Sequence, residues 1–202
     1  MGSRQPRVDL YCEDQGHELF TRALISRLAE EEGLRVSIQT RSGRGGHGRA
    51  ISEFRAWQRA ASRPGAHSKP ELLVLVIDGN CQDWGKVHRS LLAAVDTAIF
   101  PRQVVGCPDP HIERWCIADP LSFKETVGAS PLADPGKCDR RLYKNLLRES
   151  IAAAGQPILT DAMEFAPDLV LAMDLYRAAK NKNQRSLRLF LEGLRKAIRT
   201  LA

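Results

Sequence analysis

Three carboxylates in this chain are placed where they could do chemistry. Glu13 and Asp78 each follow a short apolar segment, and Glu113 lies in the later motif PDPHIERW at residues 108–115. Acids gathered at one edge of a sheet repel one another unless a cation joins them, and a hard divalent ion such as Mg²⁺ takes oxygen ligands. These residues therefore predict a metal site with Mg²⁺, or Mn²⁺, as its cofactor.

The two segments that carry Glu13 and Asp78 predict buried parallel strands. Residues 7–12 (RVDLYC) and 72–77 (LLVLVI) are short, apolar and bounded by polar or glycine-containing turns. In an open α/β sheet, ligands bind beyond the carboxyl ends of the strands. If these strands are neighbours, both carboxylates are expected in one crevice.

Each carboxylate also has a purely structural interpretation. Glu13 could cap the helix that follows it, since acids are favoured near a helix N-terminus. Asp78 precedes Gly79 and could serve only a turn, and Glu113 could form a surface ion pair with Arg114.

Nearby histidines and cysteines are less specific. His17 could orient a metal ligand, or it could be an exposed helix residue. Cys107, His111 and Cys116 could be imagined as zinc ligands, but the chain lacks a Cys-x-x-Cys pair. Buried thiols explain the two cysteines better.

The order of predicted elements positions these residues. Apolar patterning alternates between strand and helix over the first 106 residues, which predicts an α/β fold with a parallel sheet and helices on both faces. The alternating segment at 34–40 predicts an edge strand.

A Gly- and Pro-containing break near residue 130 separates domain 1–130 from a helical C-terminal extension at 131–202. Helices are predicted at 16–32, 50–61, 84–98, 139–154 and in two segments within 167–201, and a further strand at 103–106.

Composition is that of a globular protein with an anionic partner. Of the 202 residues, 43% are hydrophobic, enough for a sizeable core, and the net charge is +6 with a pI of about 9.3. No apolar run approaches the roughly 18 residues of a membrane span, and the N-terminus does not resemble a signal peptide. Five cysteines without paired spacing predict reduced thiols and a cytoplasmic location.

Two basic segments are candidates for nucleic-acid binding. The loop at 41–49 combines glycines with Arg41, Arg44 and Arg49, although a flexible surface loop is an equal alternative. The C-terminal tail carries Lys180 and Lys182 among further basic residues; its alternative is a solvated helix face. The Gly43-x-Gly45-x-x-Gly48 spacing also matches a dinucleotide fingerprint, but it follows the second predicted strand and lacks the acid expected about 20 residues later.

Several short motifs together resemble a known family. The segments YCEDQGHE at 11–18, VIDGN at 76–80 and PDPHIERW at 108–115, followed by Ala118 and Asp119, are similar to the small Toprim-like proteins related to the nuclease domains of overcoming-lysogenization-defect proteins. The resemblance covers about residues 7–128. It implies a Toprim-like (Rossmann-like) fold and metal-dependent phosphodiester chemistry.

The resemblance also implies residue roles. Glu13 would be a metal ligand or general base and Asp78 a ligand, with Glu18 and Glu113 as supporting ligands. The sequence departs from the family pattern at Asn80, which replaces the second acid of an Asp-x-Asp motif; Asp83, one turn further on, is a candidate substitute. The spacing from Glu13 to Glu18 is also one residue longer than usual.

A Mg²⁺-dependent nuclease of DNA or RNA, or a nuclease subunit, is therefore the expected function. The resemblance further implies an ATPase partner protein and a role in antiviral defence against phage, with no membrane involved. The alternative is a degenerate, non-catalytic subunit that holds nucleic acid or a partner protein, and Asn80 favours it.

Overall fold

Four parallel strands form the centre of the molecule in the computed structural model, which describes residues 4–43, 47–63, 69–136, 138–139 and 141–202, apart from the side chain of His47. Their order is β2-β1-β3-β4. The parallel α/β sheet is confirmed, as is the edge position of β2, and the arrangement is consistent with a Rossmann-like fold. The strands are β1 (Arg7–Cys12), β2 (Ser37–Ser42), β3 (Leu72–Val76) and β4 (Gln103–Gly106).

Helices flank both faces of this sheet. In chain order they are α1 (Gln15–Glu31), α2 (His47–Ala61), α3 (Trp84–Ala94), α4 (Glu113–Cys116), α5 (Pro120–Val127), α6 (Leu142–Ala153), a short 3-10 helix (Met163–Phe165), α7 (Ala166–Ala172), α8 (Leu175–Lys180) and α9 (Arg185–Arg199).

Side chains at alternate positions of the central strands belong to two hydrophobic clusters, one on each face of the sheet. Leu10 and Val74 join the cluster that includes α1 and the C-terminal helices. Tyr11 and Leu75 join the cluster formed with α2 and α3. Since β1 and β3 are covered on both sides, their sequences are almost continuously apolar. The helices after residue 130 thus share a core with the sheet: α7 packs on α1, and α9 packs on β4.

Local capping explains where the elements differ from the predicted bounds. After α1, Gly33 adopts a left-handed φ of 69°, and Leu34 donates its N–H to the carbonyl of Ala29. Because of this closing turn, β2 begins at Ser37 and not at residue 34, and it runs to Ser42. Similarly, α3 ends at Ala94 because Val95 is extended.

The C-terminal region contains more breaks than the two predicted helical segments. Asp174 caps α8 by accepting hydrogen bonds from the N–H groups of Tyr176 and Arg177. Arg177 in turn reaches Asp119 at the start of α5, with Nε 2.6 Å from Oδ1 and Nη2 2.8 Å from Oδ2. The Asp119 side chain is fully buried. This ion pair fixes α8 to the region around the predicted family motif.

The thiols do not all follow the sequence-based expectation. Cys12, Cys107 and Cys116 are reduced and buried. Cys81 and Cys138, however, form a disulfide, so the prediction of five reduced cysteines is wrong for this pair. Within the described residues, no helix combines the length and the apolar character needed to cross a membrane.

Candidate metal centre

Glu13 and Asp78 meet at the carboxyl edge of the sheet. β1 and β3 are neighbours, with Cys12 opposite Val76 in the register, so the next residues of both strands enter the same crevice. The backbone N–H of Asp78 donates to Oε2 of Glu13 at 3.3 Å. The sequence predicted this juxtaposition on the condition that the two strands are neighbours, and the strand order β2-β1-β3-β4 meets that condition.

His17 is the main functional residue that sequence reasoning underrated. Its side chain is 1% exposed, so the exposed-residue interpretation is wrong. Asp14, not Glu13, caps α1, and its Oδ1 accepts both the backbone N–H of His17 and the ring Nδ1 at 2.8 Å. On the other side of the ring, Nε2 lies 2.8 Å from Oδ1 of Asp78. The Asp-x-x-His spacing at a helix start was the available signal.

His111 supplies a second imidazole to the same carboxylate. Its Nδ1 lies 3.0 Å from Oδ2 of Asp78. Backbone bonds hold the two loops together: the N–H of Gly79 donates to the carbonyl of Pro108 at 2.8 Å, and that of Asn80 to Pro110 at 3.0 Å. The PDPHIERW motif is therefore a structural partner of the Asp78 loop.

Two imidazoles keep Asp78 ionised despite its burial. Burial alone would raise its pKa, but the charge of His17 and the bonds from both histidines lower it below its ordinary value. Burial likewise disfavours protonated His17, yet Asp78 and Asp14 outweigh this and hold the His17 pKa well above its ordinary value. At neutral pH the centre is thus an imidazolium between two carboxylates.

Glu13 and Glu113 are less well compensated. Burial, followed by repulsion from Asp78, raises the pKa of Glu13 to about 7. The same two causes raise the pKa of Glu113. Arg114 does not neutralise Glu113, because its guanidinium pairs with Asp134 at 2.8 Å. A bound cation would therefore stabilise the ionised forms of both acids.

Three groups of this centre could hold a cation. Ligand atoms of Glu13, His17 and Asp78 all lie within 4.8 Å of one another. Both ring nitrogens of His17 are already bonded, so the oxygens of Glu13 and Asp78 are the better ligands and His17 orients Asp78. Two buried nitrogens nearby, Nε2 of His111 and Nδ2 of Asn80, have no hydrogen-bond partner within the described protein.

The remaining predicted ligands lie outside this three-residue cluster. Glu18 is on α1, with Oε1 4.0 Å from Arg22. Asp83 is exposed and caps α3, accepting from the N–H of Lys86 at 2.8 Å. Asn80 has a left-handed φ of 48° and lies in residues 77–83, the loop between β3 and α3 that is called the crevice loop below. The metal-ligand roles of these residues stay predictions.

A zinc site at Cys107, His111 and Cys116 is not favoured. Burial raises the pKa of both thiols, which opposes the thiolate that zinc binds. His111 points its Nδ1 at Asp78 instead.

The predicted basic residues are in different settings. Arg41 is the next-to-last residue of β2 and lies 5.7 Å from the ring centroid of Trp57, while Arg49 pairs with Glu53 at 3.1 Å. Lys180 lies over Tyr176, and Lys182 is exposed. Arg44 lies outside the described residues.

Another residue of the basic tail, Arg185, approaches the crevice more directly. It lies 5.1 Å from the ring centroid of Trp84, whose Nε1 donates to the carbonyl of Cys107 at 2.7 Å. Trp84 also contacts the Gly79 position of the crevice loop.

Comparison of the chain with protein-family models, with curated proteins and with solved structures found no match. What this centre does must therefore be inferred from its own chemistry and from the resemblance of the short motifs.

Proposed function

We propose that the chain is a Toprim-like, Mg²⁺- or Mn²⁺-dependent nuclease, or the nuclease subunit of a larger assembly. The observation that carries the proposal is the convergence of Glu13, His17 and Asp78 within 4.8 Å at the carboxyl edge of the sheet. That edge is where α/β proteins bind ligands.

In this proposal Glu13 and Asp78 hold the cation through carboxylate oxygens, with Glu113 as a supporting acid. A bound divalent cation would polarise a phosphate, lower the pKa of a water molecule and offset charge on a leaving oxygen. His17 and His111 hold the Asp78 carboxylate in place through bonds of 2.8 and 3.0 Å. Without a cation the pKa of Glu13 is raised to about 7, and a divalent cation bound at its carboxylate would lower this pKa and keep Glu13 ionised.

The substrate would be a polyanion that enters past basic side chains. Arg41 is the next-to-last residue of β2, near the carboxyl edge of the sheet, and Arg185 lies over Trp84. DNA or RNA fits this charge pattern and the net charge of +6. An ATPase partner, a role in defence against phage and a cytoplasmic location are further parts of the proposal, supported by the motif resemblance and not by geometry.

One observation favours a second function, a non-catalytic subunit that binds nucleic acid or a partner protein. Asn80 replaces an acid, and the His17 imidazolium already supplies a positive charge to Asp78. If that charge is sufficient, the centre is a structural ion-pair network. Titration with Mn²⁺ separates the two functions, because the structural network predicts no binding.

The decisive experiment incubates supercoiled plasmid and labelled single-stranded DNA and RNA with the protein and Mn²⁺, Mg²⁺ or EDTA. We expect metal-dependent cleavage that is lost in Glu13→Ala and in Asp78→Ala. Asp96→Asn is the matched control, because Asp96 is exposed, lies beyond the far end of α3 from the crevice, and accepts the N–H of Ala98 through Oδ1, as Asn can also do. If the wild-type protein neither cleaves these substrates nor binds either ion, the nuclease proposal is wrong.

A further inference from the structure

The disulfide between Cys81 and Cys138 lies next to the candidate metal centre. Cys81 follows Asn80 directly, three residues after Asp78. Its Cα atom is 5.5 Å from that of Cys138, within the ordinary range for disulfides. Both residues are exposed, whereas Cys12, Cys107 and Cys116 are buried. A reductant in solution can therefore reach this disulfide, whereas the three free thiols are shielded from solvent.

The crevice loop is a segment that benefits from a covalent restraint. Asn80 and Cys81 adopt left-handed φ values of 48° and 62°, which cost free energy in residues other than glycine. The loop is otherwise held by backbone bonds from Gly79 and Asn80 to residues 108 and 110. The disulfide restrains Cys81, the residue directly after these two hydrogen-bonded positions.

The other half of the disulfide belongs to a segment anchored to the same site. Before Cys138, Asp134 accepts from Arg114 Nε at 2.9 Å and from the Tyr143 hydroxyl at 2.7 Å. Arg114 also donates to the carbonyl of Asp109 at 2.9 Å. The PDPHIERW motif is thus connected to both ends of the disulfide, and the three segments around the crevice form one linked unit.

We propose that Cys81 and Cys138 are a reversible redox modification site that controls the order of the crevice loop. The co-reactant is a small thiol or a protein dithiol. Its thiolate attacks one sulfur and breaks the S–S bond, and a second thiolate then resolves the mixed disulfide. Two electrons and two protons pass to the protein, which gains two cysteine thiols, and the reductant becomes a disulfide.

The two redox states differ in how the crevice is held. The oxidised protein keeps Asp78, Asn80 and the loop in the arrangement described above. The reduced protein keeps the hydrogen bonds of Asp78, Gly79 and Asn80 but loses the covalent restraint at Cys81, so the left-handed residues are freer to relax. The effect on metal binding rests on the proposed function: Mn²⁺ should bind more tightly to the oxidised protein than to the reduced protein.

The test holds the whole protein in oxidising or reducing thiol buffer and measures three quantities. Thiol titration after denaturation should give three free thiols in the oxidised protein and five in the reduced one. Hydrogen exchange at the amides of Gly79 and Asn80 should be at least about tenfold faster in the reduced protein, because local opening governs exchange. The dissociation constant for Mn²⁺, measured by calorimetry, should be at least fivefold weaker after reduction.

Cys138→Ser is the matched variant, since it removes the disulfide without touching the crevice loop. It should show four free thiols in both buffers, together with the amide exchange and the Mn²⁺ affinity of the reduced protein. Five free thiols under oxidising conditions, or equal amide exchange in the two states, would overturn the redox proposal. Absence of Mn²⁺ binding in both states would instead contradict the proposed function, and the redox proposal would still be decided by the thiol count and amide exchange.

Discussion

The imidazole of His17 bridges two carboxylates, with Nε2 2.8 Å from Asp78 and Nδ1 2.8 Å from Asp14. Because both partners are carboxylates, they favour the doubly protonated ring and hold the pKa of His17 well above its ordinary value. The centre therefore contains one cation of its own, and its remaining demand for positive charge falls on Glu13 and Glu113. This relationship sets what substitutions and pH should do.

Substitution of Asp78 by Asn should lower the pKa of His17 and of His111. Asp78 raises the pKa of both rings, by its charge and by its hydrogen bonds. NMR titration of the imidazole resonances measures the change directly. In Asp83→Asn, the exposed helix cap, both pKa values should match those of the wild-type protein. Unchanged histidine pKa values in Asp78→Asn would contradict the observed bonding.

Substitution of Glu13 by Gln should stabilise the protein at pH 8 and not at pH 4. Burial and Asp78 raise the Glu13 pKa from 4.5 to about 7, so the folded state binds this proton more tightly than the unfolded state does. Glu13 thus contributes stability below pH 4.5 that is lost as pH rises through 7. Gln stays neutral and avoids the loss, with an expected gain on the order of 1 to 2 kcal/mol.

Urea unfolding at the two pH values measures this difference, and the same variant should bind Mn²⁺ more weakly. Gains of equal size at pH 4 and pH 8 would show that the ionisation of Glu13 is not the cause.

Replacement of Arg177 by Met should lower the free energy of unfolding, because it leaves the buried carboxylate of Asp119 without its cation. The double variant with Asp119→Asn should recover part of this loss. Urea denaturation of the single and double variants gives the coupling free energy. Arg199→Met is a suitable control, since Arg199 pairs with Glu32 at the surface and exposed pairs contribute less than about 1 kcal/mol. A loss in Arg177→Met no larger than in this control would contradict the proposed anchoring role.

Much of the fold and the position of two acids could be predicted from the sequence. Continuous apolar runs predict strands buried on both faces, and parallel strands bring their carboxyl ends together, which placed Glu13 beside Asp78. The bounds of β1 and β4 agree with the predicted segments. Strand patterning does not predict how the charge of Asp78 is balanced, because that depends on His17 and His111.

His17 and the disulfide depend on tertiary contacts between distant segments. A histidine one turn into a helix is compatible with exposure or burial, and the choice is made by Asp78, 61 residues away. Cys81 and Cys138 are 57 residues apart without a recognisable spacing. Because geometry alone pairs such cysteines, their sequence supported only the compositional expectation of free thiols.

Two arginines beside the crevice should contribute to nucleic-acid binding, and a distant one should not. Arg41 is the next-to-last residue of β2, near the carboxyl edge of the sheet, and Arg185 lies over Trp84. Arg199 pairs with Glu32 at the far end of α1, a helix of 17 residues that runs about 25 Å away from this edge.

Arg41→Ala and Arg185→Ala should therefore weaken binding of labelled single-stranded DNA and reduce the slope of log affinity against log salt by about 0.7 each. Arg199→Ala should leave both quantities unchanged. Fluorescence anisotropy over a range of salt concentrations measures them, in EDTA so that cleavage does not interfere. Equal losses in all three variants would indicate binding to net charge, whereas a loss confined to Arg41 and Arg185 would locate the polyanion at the edge that carries Glu13 and Asp78.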